Sequence, residues 1–156
     1  MRVHFRPVTP ANLGECLALE SADHQRGWVA SNTRSLAQAY VNPALHPHAV
    51  YAQESLGFEQ PVTPVVGFVV LEVAAGTGFL LRLMIGEAFQ GQGLGRAALR
   101  EAVRRLRLDP DVQLIASSHV KENAAMAGLL TSEGFMPWDI EFAAGHPTES
   151  FLRLPD

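Results

Sequence analysis

From Gln90 to Gly95 the chain reads Gln-Gly-Gln-Gly-Leu-Gly, three glycines in six residues. A segment follows whose Leu94, Ala98, Leu99, Ala102, Val103 and Leu106 recur at steps of three and four, the mark of one helix face. Glycine lets a backbone approach a ligand closely and adopt positive φ without a Cβ penalty. The first amides of a helix lack intrahelical acceptors, and the macrodipole adds about half a positive charge at that end. Glycines at a helix start therefore form a cradle for an anion, phosphate above all. Arg96, in the first turn, opposes the dipole when the cradle is empty and complements an anion when one is present.

Three phosphate-binding loops compete for these residues. A P-loop requires a lysine after its last glycine, and the only lysine is Lys121. The dinucleotide fingerprint is present as Gly93-Leu-Gly95-Arg-Ala-Ala98, but the next strand should end on an acid, where this chain has Ala116-Ser117-Ser118. The third pattern, Gln/Arg-x-x-Gly-x-Gly/Ala, is met by Gln90 to Gly95. With the apolar run Phe79–Ile85 ahead of it and the helix behind, it resembles the GCN5-related N-acetyltransferase (GNAT) superfamily. The resemblance implies that Gln90, Gly91, Gln92, Gly93, Leu94, Gly95, Arg96 and Ala97 hold the pyrophosphate of coenzyme A. It also implies that Leu83, Met84 and Ile85 pair with the pantetheine arm. A glycine turn joining strand to helix with no ligand is the plain alternative.

Several elements must position this turn. Val3 and Phe5 alternate with polar neighbours as in a strand, Thr9-Pro10 reads as the start of a helix running to about Glu20, and a second helix spans Asn32 or Thr33 to Tyr40. Cys16 reads as a small buried hydrophobe. Ala49–Gln53, Pro64–Val73 and Phe79–Ile85 form an antiparallel meander, with a loop at Glu54–Thr63. Asp109-Pro110 stops the glycine helix, and Val112–Ser117 returns as a strand parallel to Phe79–Ile85. Asn123–Glu133 is a helix with Gly134 after it, and Trp138–Phe142 pairs with Ser150–Leu154 as a hairpin. The expected architecture is α/β (α+β), a GNAT fold. Its mixed central sheet has about six to seven strands, mostly antiparallel with one splayed parallel pair, and about four flanking helices.

With 156 residues and 47% apolar content, one domain spanning 1–156 is expected. Eleven arginines, one lysine and sixteen acids give a net charge of −4, which argues against a nucleic-acid footprint and permits a cationic substrate. No stretch reaches the ~18 apolar residues of a membrane span, and a single cysteine forms no internal disulfide, so the reading is cytoplasmic, without membrane or metal. The oligomeric state is open, a homodimer included.

A second resemblance lies upstream. Leu19-Glu20, Gln25, Val29–Asn32 and Ser35–Ala37 look like the N-terminal half of bacterial spermine/spermidine (diamine) N-acetyltransferases. It implies that Glu20, Asp23 and Trp28 face an incoming amine, although acids expected beside the cofactor strand fall at Leu81 and Gly86. Asn123 to Phe135 resembles the family motif Asn-x-x-Ala-x-x-Leu-Tyr-x-x-x-Gly-Phe. By that match Asn123, Met126 and Leu130 contact coenzyme A, Asn123 doubling as a helix cap. The tyrosine that protonates the leaving thiolate is Leu130 here, and leucine donates no proton. His119, just past the expected strand, is the first candidate for proton handling, with Tyr40, Tyr51 and Glu72 behind it. The expected function is transfer of acetyl from acetyl-CoA to a primary amine, a small-molecule acceptor such as a polyamine. The alternative is a silent coenzyme A-binding module.

Overall fold

The computed structural model describes residues 3–19, 31–52 and 64–156; the Glu54–Thr63 loop and the acceptor candidates Glu20, Asp23 and Trp28 lie outside them. One sheet holds seven strands in the order β1 (Val3–Pro7), β2 (Leu45–Ala52), β3 (Gly67–Ala74), β4 (Thr77–Ile85), β5 (Leu114–Val120), β7 (Glu149–Leu154) and β6 (Met136–Pro137). Every neighbouring pair is antiparallel except β4 and β5, as the meander and crossover require. The described helices are α1 (Leu13–Ala18), α2 (Asn32–Val41), α3 (Leu94–Leu108), α4 (Ala124–Ser132) and α5 (Glu141–Ala144), one more than expected. None is long and apolar enough to cross a membrane.

The period-two alternation of the strands gives the sheet two buried faces. Val50, Val69, Leu71 and Leu80 pack with Leu99, Ala102 and Leu106 of α3 and Leu130 of α4. Ala49, Tyr51, Phe68 and Val70 pack on the opposite face with Cys16 of α1 and Leu36 and Ala39 of α2. Cys16 is fully buried, and burial, with the Glu15 carboxylate beside it, pushes its thiol up to about 11.

Local chemistry explains where the elements depart from expectation. α1 begins at Leu13 rather than Pro10, because the Thr9 carbonyl accepts from the amides of both Asn12 (3.1 Å) and Leu13 (2.9 Å) in a tight turn. Buried Asn12 locks that turn: its Oδ1 accepts from the Thr9 amide (2.8 Å) and its Nδ2 donates to the Pro7 carbonyl (3.1 Å). β2 starts at Leu45 and runs through Pro47, tolerated because β1 pairs only from His48 onward and leaves Pro47 no neighbour on that side. β5 extends to Val120, so His119 lies on the strand and not beyond it. The expected hairpin arm Trp138–Phe142 is largely absent. After β6 only the Trp138 amide makes a further rung, to the Phe151 carbonyl (2.9 Å), before α5 takes over. There the Phe142 ring stacks on His146 (centroids 4.3 Å apart) and meets Phe151 edge-on (5.7 Å).

Two outcomes follow for stability. A Cβ on Gly67 would sit 2.6 Å from the Met84 carbonyl oxygen, so Gly67→Ala should cost about 1–3 kcal/mol and lower Tm by several degrees in a thermal melt. His48 of β2 packs against Phe5, and burial, then the Arg105 guanidinium, lowers its pKa from 6.5 to about 4. Between those values the unfolded chain binds the extra proton, so this contribution is full above pH 6.5 and is lost as pH falls towards 4. Melts of wild type and His48→Leu across that range should show a steeper acid-side loss of Tm in wild type.

Candidate functional site

The site is built where the two parallel strands part. β4 and β5 pair from Thr77 and Leu114 to Leu80 and Ser117 and no further, although β4 continues to Ile85 and β5 to Val120. At the last rung the buried Ser117 hydroxyl donates to the Leu80 carbonyl (2.9 Å). The next residue, Leu81, is a bulge, since Leu71 faces Leu80 but Val70 faces Arg82. The extra residue reverses the alternation: Leu80, Leu83 and Ile85 share the α3 and α4 face, while Leu81 and Met84 turn to the other. The distal half of β4 thus borders a wedge in place of a partner strand.

The glycine turn closes the far end of that wedge. Gly91 and Gly93 hold φ of +78° and +83°, and nothing lies within 4 Å of where their Cβ atoms would stand. Gly93 is the N-cap of α3, so the amides of Leu94, Gly95 and Arg96 lack intrahelical acceptors. Gly95 has no such φ requirement; a Cβ there would stand 3.8 Å from Leu129 and 4.0 Å from Ile85, inside the opening. The Gln90 side chain donates to the Ile85 carbonyl (2.9 Å) and ties the turn to the strand.

Arg96 does not face the opening. Its guanidinium donates to the Ser132 hydroxyl (2.8 Å) and pairs with Glu133 at the end of α4, so a carboxylate offsets the charge that the sequence reading left for an anion. Arg100 holds the same carboxylate through Nε (3.0 Å) and Nη2 (3.1 Å). The Arg100 hydrogen bond, followed by that of Arg96, keeps the Glu133 carboxyl below its ordinary range.

Leu83, Met84, Ile85, Gln90, Gly91, Gly93, Leu94, Gly95, Asn123 and Met126 line one cleft of about 210 Å³. Phe89, Ala125 and Leu129 also line it and were missed. Leu129 stands three residues beyond Met126, a helical step that could have revealed it. Gln92 is exposed and Ala97 is buried under α3. Leu130 does not reach the cleft: its side chain is fully buried in the core beneath α4. Asn123 caps α4, its Oδ1 accepting from the Met126 amide (3.0 Å), and its Nδ2 has no partner among the described residues.

A smaller cavity, about 60 Å³, fills the wedge between the strands and shares Leu83, Asn123 and Met126 with the cleft. Arg82, His119 and Glu149 contribute its charged and titratable side chains. The Nδ1 of His119 lies 2.7 Å from the Val120 carbonyl oxygen. A carbonyl only accepts, so Nδ1 carries hydrogen and Nε2 of the neutral ring is an acceptor. The other proton-handling candidates stand elsewhere. Tyr40 is 91% exposed, Tyr51 is buried with its hydroxyl 3.3 Å from Asn12 Nδ2, and Glu72 sits opposite Phe79 near the start of β4. At Gly86 a Cβ would fall 2.8 Å from the tip of the Leu19 side chain, which would have to shift to admit one.

Residues 2–136 match the sequence model of the acetyltransferase (GNAT) domain. No curated protein matches the chain in sequence. Among solved structures, the fold is similar to an acetyltransferase from Thermus thermophilus (20% identity, TM-score 0.67, covering 100% of this chain and 98% of that one). It is also similar to the PaiA N-acetyltransferase from Thermoplasma acidophilum in complex with coenzyme A (14%, TM-score 0.68, 100% of both chains). A third is a chimera of the spermidine N-acetyltransferase SpeG from Vibrio cholerae and hSSAT (16%, TM-score 0.67, 98% of this chain and 93% of that one).

The two later glycines of the turn should separate in a melt. Gly93→Ala forces a side chain into the left-handed region, at about 1–2 kcal/mol, and should lower Tm. Gly95→Ala, in a helix with room for a methyl, should hold or raise it by up to about 1 kcal/mol.

Proposed function

The chain belongs to the GNAT acetyltransferase family, and from that premise we propose that it forms a single domain that acetylates a primary amine by direct attack, with the cleft beside β4 as its acetyl-CoA site. One observation carries the reading: an anion cradle at a helix start and a small cavity holding a proton acceptor are two ends of one opening, joined through Leu83, Asn123 and Met126. The residues present fit the cofactor. Two positive-φ glycines leave the approach to the α3 amides open, which suits a pyrophosphate. The edge of β4 at Leu83–Ile85 and the Asn123 Nδ2 offer hydrogen bonds to an amide-bearing arm, and Phe89, Met126 and Leu129 supply its apolar wall.

Acetyl-CoA supplies an activated thioester, whose sulfur leaves as a thiol of ordinary pKa ~8.5. The chain's part is to bind, align and take a proton. His119 Nε2, free to accept, is the group in the small cavity suited to deprotonate the incoming ammonium. Leu130 provides no acid to the leaving group; such help is worth about 10²–10⁴-fold, a loss that slows the reaction without forbidding it. A polyamine acceptor is the second reading, favoured by the Glu149 carboxylate in that cavity and by the spermidine N-acetyltransferase among the structural relatives.

Calorimetry should show coenzyme A binding in preference to NAD. Gly95→Val, which places a branched side chain between Ile85 and Leu129, should weaken that binding at least about tenfold while the fold survives. With acetyl-CoA and an amine panel, thiol release should report turnover, and His119→Ala should lower kcat by about 10²–10⁴-fold and remove the acid-side limb of the pH profile, where a base is lost to protonation. Binding without turnover on any amine would leave the silent coenzyme A module standing, and tighter binding of NAD would remove the acetyltransfer reading.

A further inference from the structure

Arg82 is the charged group that the cofactor cleft and the proton path leave unexplained. It follows the Leu81 bulge and stands opposite Val70, on the face that packs against α1 and α2. Arg82 lines the small cavity between β4 and β5. One bond is accounted for, from Nη1 to the Leu81 carbonyl (2.9 Å). The opposite edge is unused: Nε is buried without a partner and Nη2 makes no bond among the described residues. No carboxylate among those residues comes within ion-pair distance of it.

An unpaired, half-buried guanidinium is a costly thing to leave in a fold. Its electrostatic surroundings do not balance it either. Burial is the largest influence, and it destabilises the charged form; Arg34 of α2 acts in the same direction, and only Glu149 opposes it. The neighbouring Arg34 guanidinium raises the positive potential around Arg82. Burial and Arg34 together make a site that gains from receiving a negative group. The edge formed by Nε and Nη2 presents two parallel N–H vectors, the arrangement that a carboxylate meets with both oxygens. The positions where the diamine resemblance calls for acids, Leu81 and Gly86, contribute no negative charge beside it.

We propose that Arg82 is an anion subsite for the acceptor, so that the amine acetylated here carries a carboxylate that docks on the free edge of this guanidinium while its nitrogen is held near His119. The proposal rests on the acetyltransfer reading and narrows its substrate class from amines in general to aminocarboxylates. Glu149, in the same cavity, is placed to receive the ammonium end of such a zwitterion.

The test uses matched pairs on the intact chain with acetyl-CoA: glycine, β-alanine, 4-aminobutyrate and 6-aminohexanoate, each against its carboxamide, with putrescine and spermidine as the cationic arm. For at least one pair, kcat/KM should favour the carboxylate by about 10- to 100-fold, the range of a charge-assisted bidentate contact. Arg82→Gln should bring that ratio towards one through KM, leaving coenzyme A affinity unchanged, and Arg82→Lys should retain part of it. The wild-type comparison stands even if the variants fold poorly, and Arg34→Gln, on an exposed helix position, should lower the same ratio by a smaller factor. Equal rates within every pair, or a preference for the polyamines that Arg82→Gln leaves intact, would overturn the proposal. If no amine turns over, calorimetry of the same pairs against the coenzyme A complex decides: binding of carboxylates that depends on Arg82 would sustain the anion subsite and sink acetyl transfer. No difference there would sink both.

Discussion

The rung between Leu80 and Ser117 sets the geometry of the molecule. Up to that point β4 and β5 are ordinary parallel neighbours, and past it a single inserted residue, Leu81, changes which way each side chain faces. A sheet normally avoids such a place, because buried backbone groups left unpaired cost about as much as lost hydrogen bonds. Here the break is held open by what surrounds it. β3 stays registered against β4 on one edge, β7 against β5 on the other, and each face of the sheet has its own apolar core. The unpaired edge of β4 is thereby a fixed feature, available to a ligand that can pair with it.

The parts legible in the sequence were those with a strong local signal. α3 declared itself through periodicity and its glycine start, and the meander through its β-branched runs, so fold class and the outline of the cleft followed. The bulge gave no such signal: Leu80, Leu81, Leu83, Met84 and Ile85 are all apolar, and both faces of β4 are covered, so no hydrophobic alternation existed for an insertion to break. Arg96 was assigned by proximity to the turn, but its partner Glu133 stands 37 residues away, a separation no local pattern encodes. His119 was expected just past the strand; pairing of His119 with Ser150 and of Val120 with Glu149 of β7 carries β5 on to Val120. At the C-terminal side, the ring contacts among Phe142, His146 and Phe151 stabilise a helical turn where extended chain was expected.

Charge is distributed unevenly around the opening. The cradle end relies on backbone amides, with its nearest arginine already engaged, so its attraction for phosphate is directional and comes from dipoles more than from net charge. The opposite end holds side-chain charge in a tighter space, where Arg82, His119 and Glu149 meet apolar walls from Leu80, Leu81 and Leu83. Such walls lower the local dielectric and strengthen each polar contact formed there. On the proposed function, one end takes the handle common to coenzyme A thioesters and the other selects the acceptor.

The bracket formed by Arg96, Arg100 and Glu133 joins the first turns of α3 to the last turn of α4, the two helices that flank the cleft. Because both arginines grip one carboxylate, the bracket favours one spacing of α3 and α4 and lessens the ordering that a ligand between them would have to impose. Its consequence is kinetic. For a ligand that enters between those helices, less ordering on binding means that differences in affinity among related ligands fall mainly on residence time.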